Sequence, residues 1–312
     1  MNSAIWKVLL VINKFIQNPY FIFRQPCVLD LMRSVSDETF LKLQFRARIG
    51  RKLDLNNPRS FNEKLQWLKV HDHNPLYPTL VDKYAVKKWV AAKIGSEHVS
   101  KTYGKWEQVE EIDLNLLPDR FVLKTNHDSG GVAICSNRSE FDFDFARKSL
   151  DQHLKTNYYW RTREYPYKSV RPLVFAEEYL ESDASDGDLP DYKVLCFGGE
   201  PKFIEVHKGR FSSHTQDIYD CAWNRVKMSD WGYPQSDEVF GKPRQLELML
   251  EFSELLSRGL PHVRVDWYLS HERLIFGEMT FYDGAGFSPF DDYADDLWLG
   301  SYLELPLSSA SD

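Results

Sequence analysis

Residues 262–287 hold the densest group of side chains able to do chemistry. Two runs with apolar residues at alternate positions flank a short polar break, the pattern of a β-hairpin. Side chains alternate faces along a strand. Arg264, Asp266 and Tyr268 therefore share one face of the first run, and Glu278 and Thr280 one face of the second. A three-residue loop at His271, Glu272 and Arg273 pairs Ser270 with Leu274, sets Asp266 opposite Glu278 and sets Arg264 opposite Thr280. Facing carboxylates repel. A hard cation such as Mg²⁺, which takes oxygen ligands, turns that repulsion into a binding site. The alternative is a pair of solvated acids on an exposed face, or a register slipped by one residue.

Four upstream stretches carry weaker signals. Asp128-Ser129-Gly130-Gly131 follows a strand ending in Lys124. Backbone N–H groups at such glycines can approach phosphate oxygens, with the lysine as a point charge, although an ordinary Gly-rich hairpin turn has the same pattern. Phe175 to Leu180 runs apolar, acidic (Glu177, Glu178), then apolar (Tyr179, Leu180). An acid beside an apolar wall can accept from an adenine amino group or a ribose hydroxyl; solvated acids at a strand end read the same way. Asp191 and Lys193 lie two apart, on one strand face, and His207, Lys208 and Arg210 add positive charge after the paired strand, where a solvated rim is the plain alternative.

Other chemistries find less support. Asp142 and Asp144 have the D-x-D form by which many glycosyltransferases hold a metal, but they stand just before Ala146-Arg147-Lys148, where acids cap a helix. The nine histidines form no HExxH pair, and there is no G-x-S-x-G elbow.

The elements that must position these residues can be read along the chain. Residues 3–17 are largely apolar, with Lys7 and Lys14 on one helical face; the run is too short to span a bilayer. It suits a membrane interface, or docking on the protein or a partner. Residues 35–55 look helical and basic. Ser60 to Glu63 has the S-x-x-E form of a capping box. A helix at 81–94 would put Lys83 in its first turn, where a cation opposes the helix dipole. From Asp119 the texture becomes α+β: strands at 120–124 and 132–136, a helix from about 143 to 154, and a strand at 174–179. A polar linker covers 183–190, a hairpin spans 192–207 around Gly198 and Gly199, and an amphipathic helix covers 244–258.

The composition fits that pattern. The chain of 312 residues is long enough for two or three compact units. A net charge of −7 argues against general nucleic-acid affinity. Cys27, Cys135, Cys196 and Cys221 are scattered, as free thiols of a reducing compartment are, and the N-terminus lacks a charged region and cleavage site for secretion. A cytoplasmic location is expected.

Taken in order, these stretches resemble the ATP-grasp ligases, and within them the TupA-like branch related to teichuronopeptide and surface-polysaccharide biosynthesis. The resemblance covers residues 50–305. It is carried by Ser60 to Trp67, Val81 to Val86, Phe121 to Lys124, Ala176 to Leu180, Asp191 to Lys193, Val263 to Asp266 and Gly277 to Thr280. It implies an α+β (α/β) ATP-grasp fold, two α+β subdomains clasping ATP. The expected divisions are an N-terminal helical region (1–55), a pre-ATP-grasp helical region (56–118), a central subdomain (119–182) and a C-terminal subdomain (183–312).

The resemblance also assigns roles. Lys83 and Lys124 look like the two lysines that reach ATP phosphates, and Ser129, Gly130 and Gly131 like the loop closing over them. Glu177, Glu178, Tyr179 and Leu180 resemble the strand framing adenine, Asp191 the ribose-binding acid and Lys193 a basic residue near the phosphates. Asp266 and Glu278 look like the Mg²⁺ carboxylates, with Arg264 on the transferring phosphoryl group. Thr280 stands where many ATP-grasp enzymes have Asn; its hydroxyl can still ligate a hard cation. The implied reaction activates a carboxylate as an acyl phosphate, which an amine converts to an amide. His127 and His207 are the candidate bases.

Arg161, Arg163, Lys168 and Arg171, interleaved with Tyr158, Tyr159, Trp160, Tyr165 and Tyr167, suit an acidic sugar, as does Arg210; a packed surface loop is the alternative. The expected partners are an acidic sugar or glycan precursor and an amino acid or amine, with the inner membrane contacted peripherally through residues 3–17. A glycosyltransferase using Asp142 and Asp144, and a non-catalytic nucleotide-binding scaffold, are the competing readings.

Overall fold

The computed structural model describes residues 18–182, 189–209 and 213–306. Residues 3–17, Arg210 and most of the expected linker lie outside them. Two antiparallel sheets organise the described chain. The first has the order β1-β4-β2-β3 and the second β7-β6-β5-β8-β9. The strands are β1 (Thr102–Trp106), β2 (Phe121–Thr125), β3 (Val132–Cys135), β4 (Val174–Glu178), β5 (Asp191–Phe197), β6 (Glu200–Lys208), β7 (Thr215–Asp220), β8 (His262–Ser270) and β9 (Arg273–Thr280). The helices are α1 (Pro26–Leu31), α2 (Asp37–Ile49), α3 (Phe61–His71), α4 (Tyr77–Val81), α5 (Val86–Ile94), α6 (Phe143–Leu154), α7 (Tyr159–Thr162), α8 (Leu246–Ser257) and α9 (Tyr293–Tyr302).

Each sheet buries one face. Phe121, Leu123, Val174 and Ala176 of the first pack on Leu150 of α6. Val194, Cys196, Val206, Val263, Val265 and Trp267 of the second join the largest core with α8, where the Trp267 indole donates to Ser253 Oγ at 2.9 Å. The opposite faces of both sheets turn toward a shared cleft. That face of β5 and β8 is the polar one, because period-two alternation sends Lys193, Arg264 and Asp266 to the other side from Val194 and Val265.

Several elements depart from expectation. Gly50, in a left-handed conformation (φ 78°), ends α2 well short of residue 55. The expected helix over 81–94 is two: α4 stops at Val81, and Asp82 accepts from the Tyr84 and Ala85 N–H groups at 2.9 Å each before α5 begins. Lys83 therefore sits in a link rather than in a helical first turn, and its N–H donates to the Asn126 carbonyl at 3.0 Å. β1, from the stretch expected to be helical, forms an edge of the first sheet; β7 and α9 were not foreseen. The capping box is present, with the Ser60 hydroxyl bonded to the Glu63 N–H and the Glu63 carboxylate to the Ser60 N–H. Asp142 caps α6 by accepting from Phe145 N–H at 2.9 Å, and exposed Asp144 pairs with Arg147.

α3 carries an unusual load of buried polar groups, and their partners explain it. Gln66 Nε2 donates to the Ala285 and Gly286 carbonyls, Lys69 Nζ to Ala285 (2.7 Å) and Thr162 (2.9 Å), and Asn62 Nδ2 to Ser288 (3.0 Å). These bonds hold the turn after β9, where Gly284, Ala285 and Gly286 all have positive φ. Such backbone is strained for alanine and persists only where its surroundings fix it. At the start of α3 the fit is closer still: a Cβ on Gly300 of α9 would lie 2.6 Å from the Arg59 carbonyl oxygen.

Candidate active site

The β8–β9 hairpin closes with a two-residue turn, His271-Glu272, both in left-handed conformation (φ 49° and 62°). The three-residue loop expected from the sequence is therefore wrong, and Ser270 pairs with Arg273. Arg264 nevertheless faces Thr280, because the register shifts between Val265 and Trp267. Gly277 and Glu278 together oppose Asp266, which is a β-bulge. A Cβ on Gly277 would lie 3.1 Å from the Asp266 carbonyl oxygen and 2.9 Å from the Tyr268 ring, so only glycine fits without displacement. The bulge returns Glu278 to the face that carries Arg264 and Asp266.

That face is a closed charge network. Arg264 grips Asp266 through both oxygens, Nε to Oδ1 at 2.7 Å and Nη2 to Oδ2 at 2.8 Å, and reaches Asp283, Thr280 Oγ1 (3.3 Å) and Glu278 (3.6 Å). Lys193 lies between Asp191 (2.7 Å) and Asp266 (2.5 Å). Lys83 crosses from the α4–α5 link to Glu278 at 3.5 Å and also donates to the Asp128 carbonyl. Burial would raise Glu278, but Lys83, Lys193 and Arg264 hold it down at about 2. Burial, with Asp191 and Glu278 nearby, pushes Asp266 up against the pull of Arg264 and Lys193.

Across the cleft, Lys124 of β2 pairs with Glu177 of β4, and Lys87 of α5 pairs with the same carboxylate, which also accepts from Ser100 Oγ at 2.9 Å. Glu178 pairs with Arg273 at the hairpin tip, tying the two sheets together. Both acids line the cleft while holding cations, as Asp191, Asp266 and Glu278 do. Tyr179 and Leu180 line the cleft beside them, with the half-exposed side chains of Val132 and Ile134 on β3.

The β2–β3 loop is braced from below. Thr125 Oγ1 and His153 both bond the buried Asp128 carboxylate, and Thr125 N–H donates to the Gly131 carbonyl at 2.8 Å. A Cβ on Gly131 would fall 1.7 Å from Thr125 Oγ1. Ser129 and Gly130 are left exposed at the apex, over the cleft.

The cleft has a volume of about 1630 Å³ and is lined by Lys83, Lys124, Glu177, Lys193, Arg264, Asp266 and Glu278, together with Arg161 and His207. His207 bonds Glu205 (3.2 Å) and His214 (3.0 Å). Several expected contributors are elsewhere: Lys168, Arg171, Tyr159 and Tyr165 do not line the cleft, and Arg171 pairs with Glu107 at 2.6 Å. Arg163 is 2% exposed and turned inward: it donates to the Met32 carbonyl at 2.8 Å and pairs with Asp37 at 3.3 Å, so it ties a loop to the N-terminal helices. His127 is buried away from the cleft wall, with Nε2 on the Thr156 carbonyl at 2.9 Å. Asp142 and Asp144 do not line the cleft either. Asp283, Glu205 and Glu164 do line it, and Lys87 holds Glu177 from behind; the sequence reading missed all four. Of these, Glu205 was open to discovery, since it is two residues before His207 and so on its face.

The oxygen donors suit a hard cation. Asp266, Glu278 and Thr280 supply two carboxylates and a hydroxyl, and Mg²⁺ commonly takes one or two carboxylates, with water and substrate phosphates completing its shell. No cluster of three or more His, Cys, Asp or Glu side chains able to hold a metal occurs among the described residues, which agrees with such a sparse protein set and not with a structural cage.

Two antiparallel sheets meeting across a cleft of lysines, arginine and paired acids define an ATP-grasp-like fold. The family model for TupA-like ATP-grasp proteins matches residues 63–304, and the chain belongs to that family. No curated protein matches the sequence. Among solved structures, the D-alanine–D-alanine ligase from Bacillus anthracis complexed with ATP is similar at 15% identity and a TM-score of 0.43, over 80% of this chain and 82% of that one. The Helicobacter pylori D-alanine–D-alanine ligase gives 15% identity and 0.36 over 72% and 61%. The ATP-grasp ligase PsnB with a minimal precursor gives 12% and 0.36 over 73% and 63%.

Proposed function

We propose that the protein is an ATP-dependent carboxylate–amine ligase, forming an amide through an acyl phosphate. The observation that carries this is the cleft itself: Lys83 and Lys124 on one side face Lys193, Arg264, Asp266 and Glu278 on the other. Phosphoryl transfer needs positioning and charge neutralisation more than covalent help, and these four cations and two acids supply them. The base lies against Val132, Ile134 and the Tyr179–Leu180 main chain. The triphosphate runs under Ser129, Gly130 and Gly131 toward Lys83, which must leave the Asp128 carbonyl to meet it. Asp191 takes the ribose. Asp266, Glu278 and Thr280 would hold Mg²⁺, which when bound would neutralise charge on the phosphates. Arg264, fixed by Asp266 and Asp283, presents its guanidinium edge to the transferred phosphoryl group.

The carboxylate substrate is an acidic sugar of a surface polysaccharide or its precursor. Arg33, Arg48, Lys155 and Arg161 come from four separate segments to the cleft wall, beside Tyr158 and Trp160. Cations among aromatic rings suit a sugar that carries an anion. The acceptor is an amino acid or small amine. No described helix is long and apolar enough to cross a membrane; residues 3–17 are proposed as a peripheral contact, tested by liposome binding before and after removing residues 1–20.

The decisive test incubates the protein with ATP, Mg²⁺, pooled hexuronic acids and pooled α-amino acids, and measures ADP and phosphate. ADP release that requires both a carboxylate and an amine is expected. No ATP turnover in any mixture, with nucleotide-sugar hydrolysis instead, overturns the reading.

A further inference from the structure

One buried carboxylate on the cleft wall has no part in the scheme above. Glu164 follows Arg163, whose left-handed backbone (φ 57°) sends its own side chain back toward α1 and α2 and leaves Glu164 facing the cleft. Glu164 is 4% exposed. No described Lys, Arg or His lies within ion-pair distance of it, and the nearby Thr162 hydroxyl donates to the Tyr158 carbonyl at 3.3 Å. Its strongest electrostatic neighbour, Lys69, is committed to the Thr162 and Ala285 carbonyls. A buried carboxylate without an ionic partner is costly and is relieved by an incoming cation.

The surroundings define what cation fits. Tyr158, Tyr167 and Tyr282 line the cleft with Glu164: the Tyr167 N–H donates to the Glu164 carbonyl at 3.2 Å, Tyr158 and Tyr167 pack edge to face at 5.1 Å, and the Tyr282 ring lies 5.6 Å from Lys69 Nζ. Aromatic rings beside a carboxylate favour an ammonium group over a second anion. Lys83 and Asp283 line the same cleft and their charges reach Glu164, which places it toward the phosphoryl-transfer centre.

We infer that Glu164, walled by Tyr158, Tyr167 and Tyr282, binds the ammonium group of the amine substrate and removes the proton that frees its lone pair. This rests on the ligase reading. R–NH₃⁺ gives a proton to Glu164 and becomes R–NH₂. Nitrogen then forms the C–N bond at the acyl carbon while the C–O bond to phosphate breaks, its electron pair leaving with phosphate. The departing phosphate takes the second proton from nitrogen. Burial holds the Glu164 carboxyl above its ordinary range, closer to the pKa a general base needs at neutral pH. The titratable groups around it are Lys69 from α3, Tyr158 at the start of α7, Tyr167, Lys83, and Tyr282 and Asp283 after β9.

Hydroxylamine separates binding and activation from deprotonation, because it is already neutral near pH 7 and traps acyl phosphates as hydroxamates. With ATP, Mg²⁺ and pooled hexuronic acids, Glu164→Gln should form hydroxamate within about threefold of wild type. With pooled α-amino acids in place of hydroxylamine, amide formation should fall about 100-fold or more, and part of the loss should return as pH rises and free amine accumulates. Glu164→Asp, which keeps the charge, should recover part of the amide rate and guards against a folding defect in the Gln variant. Hydroxamate and amide falling together, or neither falling, overturns the assignment. Absence of both products in the wild type would instead remove the ligase reading, and this one with it.

Discussion

Glu177 is the group whose removal has the most calculable consequence. Its side chain is 8% exposed, and it holds Lys124 on one oxygen and Lys87 on the other, with the Ser100 hydroxyl beside Lys87. Burial would raise its pKa, but the two lysines bring it down from 4.5 to about 2. At about 1.4 kcal/mol for each pH unit, that difference favours the folded state by about 3 kcal/mol at neutral pH. Lys87 recovers less, since burial lowers its own pKa despite Glu177. Glu177→Gln should therefore destabilise the protein by about 3 kcal/mol at pH 7, leaving two ammonium groups side by side; at about 2 °C per kcal/mol for a chain of this size, Tm falls by roughly 6 °C.

The pH dependence has a fixed sign. The folded value lies below the unfolded one, so the contribution is whole above pH 4.5 and is lost as pH falls through 2. Urea unfolding of wild type and Glu177→Gln at pH 7, 5 and 3.5 should show nearly the same gap at the first two values. At pH 3.5 the gap should shrink to about 2 kcal/mol. Equal stability at pH 7, or a gap that does not narrow with acid, refutes the reasoning. Lys124→Met should cost less than Glu177→Gln, because Lys87 stays to balance the carboxylate.

Four further substitutions probe separate parts of the molecule. Glu278→Ala should abolish ATP turnover with an unchanged circular dichroism spectrum; near-normal rates would remove the metal assignment. Gly131→Ala drives a methyl into Thr125 Oγ1 and should cost about 1–3 kcal/mol, read by thermal denaturation, with a higher KM for ATP. Arg163→Ala strips Asp37 of its buried partner and should cost about 3 kcal/mol, with proteolysis beginning around residues 32–37. Asp142→Ala should lose only a helix cap, about 1 kcal/mol, and keep full turnover; a loss as large as that of Glu278→Ala would revive the D-x-D site.

What the chain disclosed of itself followed the range of the interaction. Local signals were legible: the Ser60–Glu63 capping box, the Asp142 cap, and the alternation that puts Arg264 and Asp266 on one face all depend on residues within four positions of each other. Lys83 was singled out for a misplacement on a helix that it does not have; what fixes it is the Asn126 carbonyl, forty-odd residues away, which no local pattern records. Arg163 and Arg161 looked alike in a basic–aromatic stretch, yet a single left-handed residue sends one inward and leaves the other on the cleft. Asp283 went unnoticed because its turn has three consecutive positive-φ residues held by α3, a motif whose polar residues read only as a helix start.

The hairpin shows how a correct pairing can follow from a wrong turn. The assumed loop of three residues and the actual turn of two differ by one position, which alone would send Glu278 to the buried face. The Gly277–Glu278 bulge adds that position back, so Arg264 and Thr280 meet as the longer loop would have it. A bulge needs a residue that tolerates the close approach of the Asp266 backbone, and glycine at 277 is the only trace of it in the sequence. Removing that tolerance therefore tests the geometry more directly than removing a ligand: Gly277→Val should push Glu278 out of line with Asp266 and Arg264. Turnover should fall while the Glu278 carboxylate is still present. If Gly277→Val kept wild-type turnover, the bulge would not be what aligns the two acids.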